Sequence, residues 1–240
     1  MRKTLSVLGL AGLMALGVSA FADGSSAGVA PDAAWHMLVL GNNRFVDGLG
    51  LGPHQDAALR RALSARQHPW AVVVSDSDSR VTPEFIFDLG LGDLYVVRDA
   101  GSILKSDVEV ASVEYGVERL GARLVVVLGH SGSGVVKDAV EQRGKSDSAA
   151  GRLAADVAPA VDEARDQIGG LSGEALESAA VEKNVLLEMK RLLKSSPAIA
   201  DDVKAGDVKV IGGVYDLETG HVHWLGEHPS QEDILDGKKP

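Results

Sequence analysis

Two stretches of this chain share one plan: an unbroken apolar, β-branched run that stops abruptly in a polar loop. The first is Ala71-Val-Val-Val-Ser-Asp-Ser-Asp-Ser-Arg80, and the second is Leu124-Val-Val-Val-Leu128 followed by Gly129-His-Ser-Gly-Ser-Gly134. A strand with one wet face alternates apolar and polar residues, whereas a continuous apolar run is buried on both faces. Such strands belong to parallel sheets covered by helices, and their C-terminal ends deliver side chains into a crevice. Two adjacent strands of this kind put Asp76, Asp78, Arg80, His130 and Ser133 around one site.

The remaining pattern supplies the helices and the other strands. Pro31 opens a helix through Trp35, Leu38 and Leu40, and a basic helix over 56–66 follows a Gly-rich loop. Gln67-His-Pro69 breaks that helix, since the residue before proline tends to be extended. Pro83 sits near the start of a short helix that Gly90-Leu-Gly92 ends. Residues 94–97 form a strand that delivers Arg98-Asp-Ala-Gly-Ser102 at its end. Val110, Val113, Val117 and Leu120 make a helical stripe stopped by Gly121, and further helices are expected over 133–140, 153–168 and 174–193. Residues 208–215 give a fourth strand, Leu217-Glu-Thr-Gly220 a hairpin turn, and residues 222–225 an antiparallel edge. Strands alternating with helices predict an α/β fold whose mostly parallel sheet has four parallel strands plus that edge strand.

At 240 residues with 45% hydrophobic and 24% charged residues, the chain is expected to form one domain with a sizeable core. Its first 22 residues stand apart: Arg2 and Lys3, an apolar run over 5–18, then Ala20-Phe-Ala22. That order predicts a secretory signal peptide, too short and wrongly flanked for a membrane span. A flexible leader over 23–30, a domain over 31–226 and a C-terminal tail over 227–240 complete the organisation. Removal of Arg2 and Lys3 leaves 22 basic against 34 acidic residues, a surface that disfavours nucleic acid and anionic membranes. The chain has no cysteine, which excludes disulfides, thiolate metal ligands and a lipidated cysteine. A periplasmic or secreted protein is expected.

Ser77-Asp-Ser-Arg80 after its strand, the run from Glu84 to Arg98, and Val127-Leu-Gly-His-Ser131 together resemble a β-class carbonic anhydrase. The similarity extends to Leu40-Gly-Asn-Asn-Arg-Phe45, Lys183-Asn-Val185, Ser196-Pro197 and Gly213-Val-Tyr-Asp-Leu-Glu-Thr-Gly220. The resemblance implies that fold, a dimer-based homo-oligomer, and reversible hydration of CO2 to bicarbonate by metal-bound hydroxide. It also implies a zinc ion held by a cysteine, a histidine and a second cysteine. Those three positions fall on Asp76, His130 and Ser133. Asp78 and Arg80 correspond to the pair that orients the fourth ligand position. Gln67, Tyr95, Ala100 and Gly101 fall on the pocket wall, with Gln67 and Tyr95 facing a neighbouring subunit's site. Ser102 departs from the family's Ala-Gly-Asn run.

Two of three zinc corners are therefore replaced, and several readings stay open. Asp76, Asp78 and His130 form a rebuilt site for Zn²⁺, Mn²⁺ or Fe²⁺, since carboxylates suit harder ions than thiolates do. In the other reading the protein is a metal-free, non-catalytic relative that binds a small anion or a protein. Gly132-Ser-Gly134 beside Arg80 and Arg98 is a candidate cradle for such an anion. Gly129-His-Ser-Gly-Ser133 also resembles a hydrolase nucleophile elbow, which would take Ser131 with Asp216 and His221 or His223. His221 and His223 share a strand face as a candidate metal pair. The expectation is that hydration activity is weakened or lost.

Overall fold

Val72, Val74, Val125 and Val127 face one layer of helices, while Ala71, Val73, Leu124 and Val126 face the other. This is the physical content of the two valine runs: both strands are buried along their whole length. The computed structural model describes residues 28–142, 147–167 and 169–238, so the expected signal peptide lies outside the described residues.

Five strands form one sheet, β1 (Ala71–Ser75), β2 (Leu94–Arg98), β3 (Leu124–His130), β4 (Lys209–Tyr215) and β5 (Val222–Gly226), in the order β2-β1-β3-β4-β5. The first four are parallel, and β5 returns antiparallel on β4. In register, Ser75 lies opposite Arg98 on one side and Leu128 on the other, so β1 and β2 end level while β3 runs two residues further, to His130. β2 is an edge and only half-buried.

One layer is built from α1 (Pro31–Val46) and α3 (Pro83–Ile86), with Ala34, Leu38, Ile86, Phe87 and Trp224 in its core. The opposite layer holds α4 (Asp107–Glu114), α7 (Gly173–Ser195), α8 (Pro197–Ala205) and α9 (Gln231–Leu235). α5 (Gly134–Gln142) and α6 (Ala149–Gln167) pack with α7 around a third cluster that includes Val157, Val161 and Val181. α7 lies unusually close to the sheet because two strand residues lack side chains. A Cβ on Gly129 would stand 2.7 Å from Val185 Cγ2, and one on Gly212 would stand 2.7 Å from Val185 Cγ1. That close approach brings Asn184 and Glu188, one turn apart on α7, beneath the strand ends.

Several elements differ from expectation. α2 spans only Ala57–Leu63, because Asp56 is its cap: Oδ1 accepts the Ala58 and Leu59 N–H groups at 2.8 and 2.9 Å. Pro197 does not simply follow α7 but opens α8, with Ser196 Oγ capping Ile199 N at 3.2 Å and Gly206 closing it at φ +77°. The segment after Glu227 contains α9, anchored by buried Ile234. The helix after Asp107 widens into a π-helical turn over Tyr115–Arg119. There Gly116 fits against Val72 and Tyr95, leaving no room for a Cβ.

Candidate functional site

β1 ends at Ser75, and the chain turns at Asp76. Its Oδ1 accepts the Asp78 N–H at 2.9 Å, closing a tight turn, and its Oδ2 accepts the Gly101 N–H at 2.9 Å. Arg98, at the end of β2, ties the same turn down by donating to the carbonyls of Asp76 (3.0 Å) and Asp78 (2.7 Å). From β3, His130 brings Nε2 to 3.2 Å from Asp76 Oδ2. The contact has ion-pair distance but lacks the alignment of a hydrogen bond. His130 Nδ1 donates to the Ser131 carbonyl at 2.9 Å, which fixes the ring.

Burial raises the Asp76 carboxyl, but the His130 contact and the Gly101 and Asp78 N–H groups outweigh it and hold the group below its ordinary value. Asp78 is placed differently. Arg80 Nε donates to its Oδ1 at 2.9 Å and Nη2 to its Oδ2 at 2.6 Å. That guanidinium is the main reason Asp78 sits well below the usual carboxylate range. Arg80 Nη2 also reaches the Gly132 carbonyl at 3.3 Å, linking the loops after β1 and β3.

Asp76, His130 and Ser133 come together as the sequence suggests, and Asp78 does not join them. The three line a hollow of about 10 Å³, together with Gly101, Ser102, Gly129, Val136, Val181 and Asn184. Every one of these residues is buried, and the space holds roughly one water molecule. Ser133 Oγ, His130 Nε2 and Asn184 Oδ1 are buried there without a hydrogen-bond partner among the described residues. Nowhere among the described residues do three His, Cys, Asp or Glu side chains assemble in a way that would hold a metal ion.

The other sequence-derived candidates lie outside the hollow, except Gly101. Gln67 lines a separate, open crevice of about 410 Å³ with Arg60, Leu63, Arg66 and Leu91. Tyr95 sits on edge strand β2 with its ring 6.1 Å from that of Tyr115. Ala100 is half-buried beside the site, and its N–H donates to Asp99 at 2.8 Å. Ser131 Oγ accepts the Leu217 N–H at 2.9 Å, which holds the β4–β5 connection. Asp216 accepts from Glu218 N, Thr219 N and Thr219 Oγ1, a turn cap rather than a histidine partner. His221 and His223 are both exposed.

Sequence reasoning missed Asn184 and Glu188. Asn184 Nδ2 donates to the Gly101 carbonyl at 2.9 Å. Glu188 is fully buried; it accepts the Leu104 N–H at 2.8 Å and Arg191 Nη1 at 2.5 Å. Together they clamp the 101–104 segment from below. The available signal was two polar residues four apart within the apolar stripe of α7, a spacing that puts both on the buried face.

The profile of the carbonic anhydrase family matches residues 71–222. Carbonic anhydrase 2 of Mycobacterium tuberculosis is 38% identical over 207 residues, covering 82% of this chain and 97% of that protein. Among solved structures, the β-carbonic anhydrase CcaA superposes with a TM-score of 0.64 at 29% identity, over 78% of this chain and 93% of that one. A tetrameric β-carbonic anhydrase of the ascomycete Sordaria macrospora shares the fold, with a TM-score of 0.63 at 22% identity over 80% and 96% of the two chains.

Proposed function

The chain belongs to the β-class carbonic anhydrase family, and we propose that it keeps this architecture while having lost zinc-dependent hydration of CO2. β-Carbonic anhydrases are generally zinc enzymes. A catalytic zinc site needs three strong protein donors and an open position for water. Here the corresponding corners are a carboxylate, an imidazole and a neutral hydroxyl, with Asp78 turned to Arg80. That donor set does not fit zinc. The observation that carries the reading is the hollow itself: all its walls are buried and it has room for about one water.

Under this reading Asp76 and His130 serve architecture, joining β1, β3 and the Gly101 segment through one carboxylate. Zinc content measured on protein purified from zinc-replete medium tests it. The expected result is a stoichiometry far below one per chain, unchanged in His130→Ala. One zinc per chain, lost in that variant, would contradict it.

A rebuilt metal site is the second reading, and one observation favours it. Two ligands of a single small metal ion, each at about 2.1 Å, stand close to the 3.2 Å that separates Asp76 Oδ2 from His130 Nε2. Mn²⁺ or Fe²⁺ suits such donors better than zinc does, but Asp78 would have to leave Arg80 to complete the set. The same metal assay, extended to manganese and iron, separates the readings.

A dimer-based assembly is part of the proposal. It is supported by exposed Met37 and Leu40 on α1, by exposed Leu49, Leu51, Phe85 and Leu91 nearby, and by the half-buried edge strand β2. Light scattering on the purified chain checks it, and a monomer would remove it. Export rests on residues 1–22 alone. No described helix is long and apolar enough to cross a membrane.

A further inference from the structure

Residues 57–75 carry Arg60, Arg61 and Arg66 and no carboxylate, in a chain whose acidic residues outnumber its basic ones by 34 to 24. All three arginines are exposed, and none has an ion pair among the described residues, whereas Arg44, Arg80, Arg123 and Arg191 each pair with a carboxylate. The acids that flank this region are already committed. Asp56 accepts the first N–H groups of α2, and Asp93 holds His54 and the Gly90 N–H. Basic residues in a last helical turn complement the helix dipole, which accounts for Arg60 and Arg61. Arg66 lies beyond the end of α2 and has no such role. Arg60 and Arg66 line the open crevice of about 410 Å³ between the end of α2 and the turn at Leu91 and Gly92. Gly92, at φ +86°, lets that turn close on Leu63, where a Cβ would stand 2.9 Å from Leu63 Cδ1. Leu63 and Leu91 give the crevice an apolar wall opposite the two guanidinium groups' charge.

We propose that this crevice binds a small phosphate monoester, its phosphate held by Arg60 and Arg66 and its organic part against Leu63 and Leu91. Charge sets the class. Guanidinium groups present forked donors that match phosphate oxygens, and a phosphate monoester carries close to two negative charges near neutral pH. A carboxylate carries one charge and is satisfied by a single fork, which leaves the second guanidinium unmatched. Gln67 adds an amide donor on the same wall, and Arg61 adds positive potential beside it. Size sets the extent: inorganic phosphate alone fills a small part of about 410 Å³, a volume typical of small-molecule sites. The Gly132-Ser-Gly134 turn is the poorer anion site, because Arg80 and Arg98 beside it are committed to Asp78 and to backbone carbonyls. The crevice and the hollow at Asp76 share no residue, so this binding does not depend on whether a metal is held there.

Calorimetric titration of the purified chain with phenyl phosphate at fixed ionic strength tests the proposal, with benzoate and inorganic phosphate titrated beside it. Leu91 also belongs to the apolar patch of the proposed assembly, so the protein is titrated in its own oligomeric state, with the mass followed by light scattering. Saturable binding of phenyl phosphate is expected with a Kd below about 1 mM, weakening as salt is raised. Benzoate and inorganic phosphate bind more weakly, by about tenfold or more. Arg60→Gln and Arg66→Gln, checked for native circular dichroism, each weaken phenyl phosphate by about tenfold, and Arg66→Lys, which keeps the charge but not the fork, weakens it less. Leu63→Ser weakens phenyl phosphate and leaves inorganic phosphate unchanged. Absence of saturable binding, binding indifferent to both arginine changes, or benzoate as tight as phenyl phosphate would overturn the proposal. So would a parent that binds no phosphate but loses its assembly in the Arg60→Gln/Arg66→Gln variant, since the arginines would then serve contacts between copies of the chain.

Discussion

Asp76 Oδ2 stands 3.2 Å from His130 Nε2 across the ends of two strands that run side by side. The same carboxylate also receives the N–H groups of Asp78 and Gly101. One side chain thus holds the end of β1, the end of β3 and the segment after β2.

Truncating it should be costly. Asp76→Ala leaves the Asp78 and Gly101 N–H groups without acceptors, the latter at a buried position. The expected loss is about 2–4 kcal/mol of unfolding free energy, measured by urea denaturation. Asp76→Asn, which keeps an acceptor oxygen, should lose less. Equal losses in the two variants would contradict the assigned contacts.

Glu188 predicts a pH dependence of known sign. Burial pushes its carboxyl up to about 7 from an ordinary 4.5, against the pull of the Leu104 N–H and Arg191. Because the folded value is raised, the stabilisation is fully present below about pH 4.5 and is lost as pH rises through about 7. The loss is on the order of 3 kcal/mol at most. Glu188→Gln should flatten stability over that window. An unchanged slope would show that another group titrates there.

Gly129 makes room for α7, so Gly129→Ala should strain the helix that carries Asn184. The added Cβ meets Val185 Cγ2 at 2.7 Å and Val181 Cγ1 at 3.1 Å, both on buried side chains. Overpacking of this kind costs about 1–3 kcal/mol. Faster amide exchange at Gly101 should accompany it, because Asn184 holds that residue's carbonyl. A neutral substitution would mean that α7 is free to shift.

Restoring thiolates tests the positional assignment. Asp76→Cys with Ser133→Cys places two thiolates and His130 around one hollow, a donor set that suits zinc. The double variant should bind one zinc per chain, where the parent does not. Failure to bind would mean that Asp76 and Ser133 are not the equivalents of the lost cysteines.

The strands were legible because their burial on both faces is written as unbroken valine runs, and β1 and β3 are adjacent as those runs imply. α8 was missed although Ser196, Pro197 and Gly206 mark its start and stop, since a proline after a long helix also reads as a terminator. The π-helical turn has no local signature; it follows from how closely Gly116 packs on Val72 and Tyr95. Within the site, the convergence of Asp76 and His130 was legible from the two strand ends. The pairing of Asp78 with Arg80 was also visible as a motif, but its consequence, that Asp78 turns away from the hollow, needed coordinates. Asn184 acts through Gly101, which is remote in sequence, and no spacing rule announces such a contact.

Stopped-flow CO2 hydration by the purified chain, with and without added zinc, addresses the loss of activity most directly. The account predicts a rate indistinguishable from buffer under both conditions, while the Asp76→Cys/Ser133→Cys variant is assayed beside it. Zinc-stimulated hydration by the unmodified chain, abolished in His130→Ala, would contradict the account.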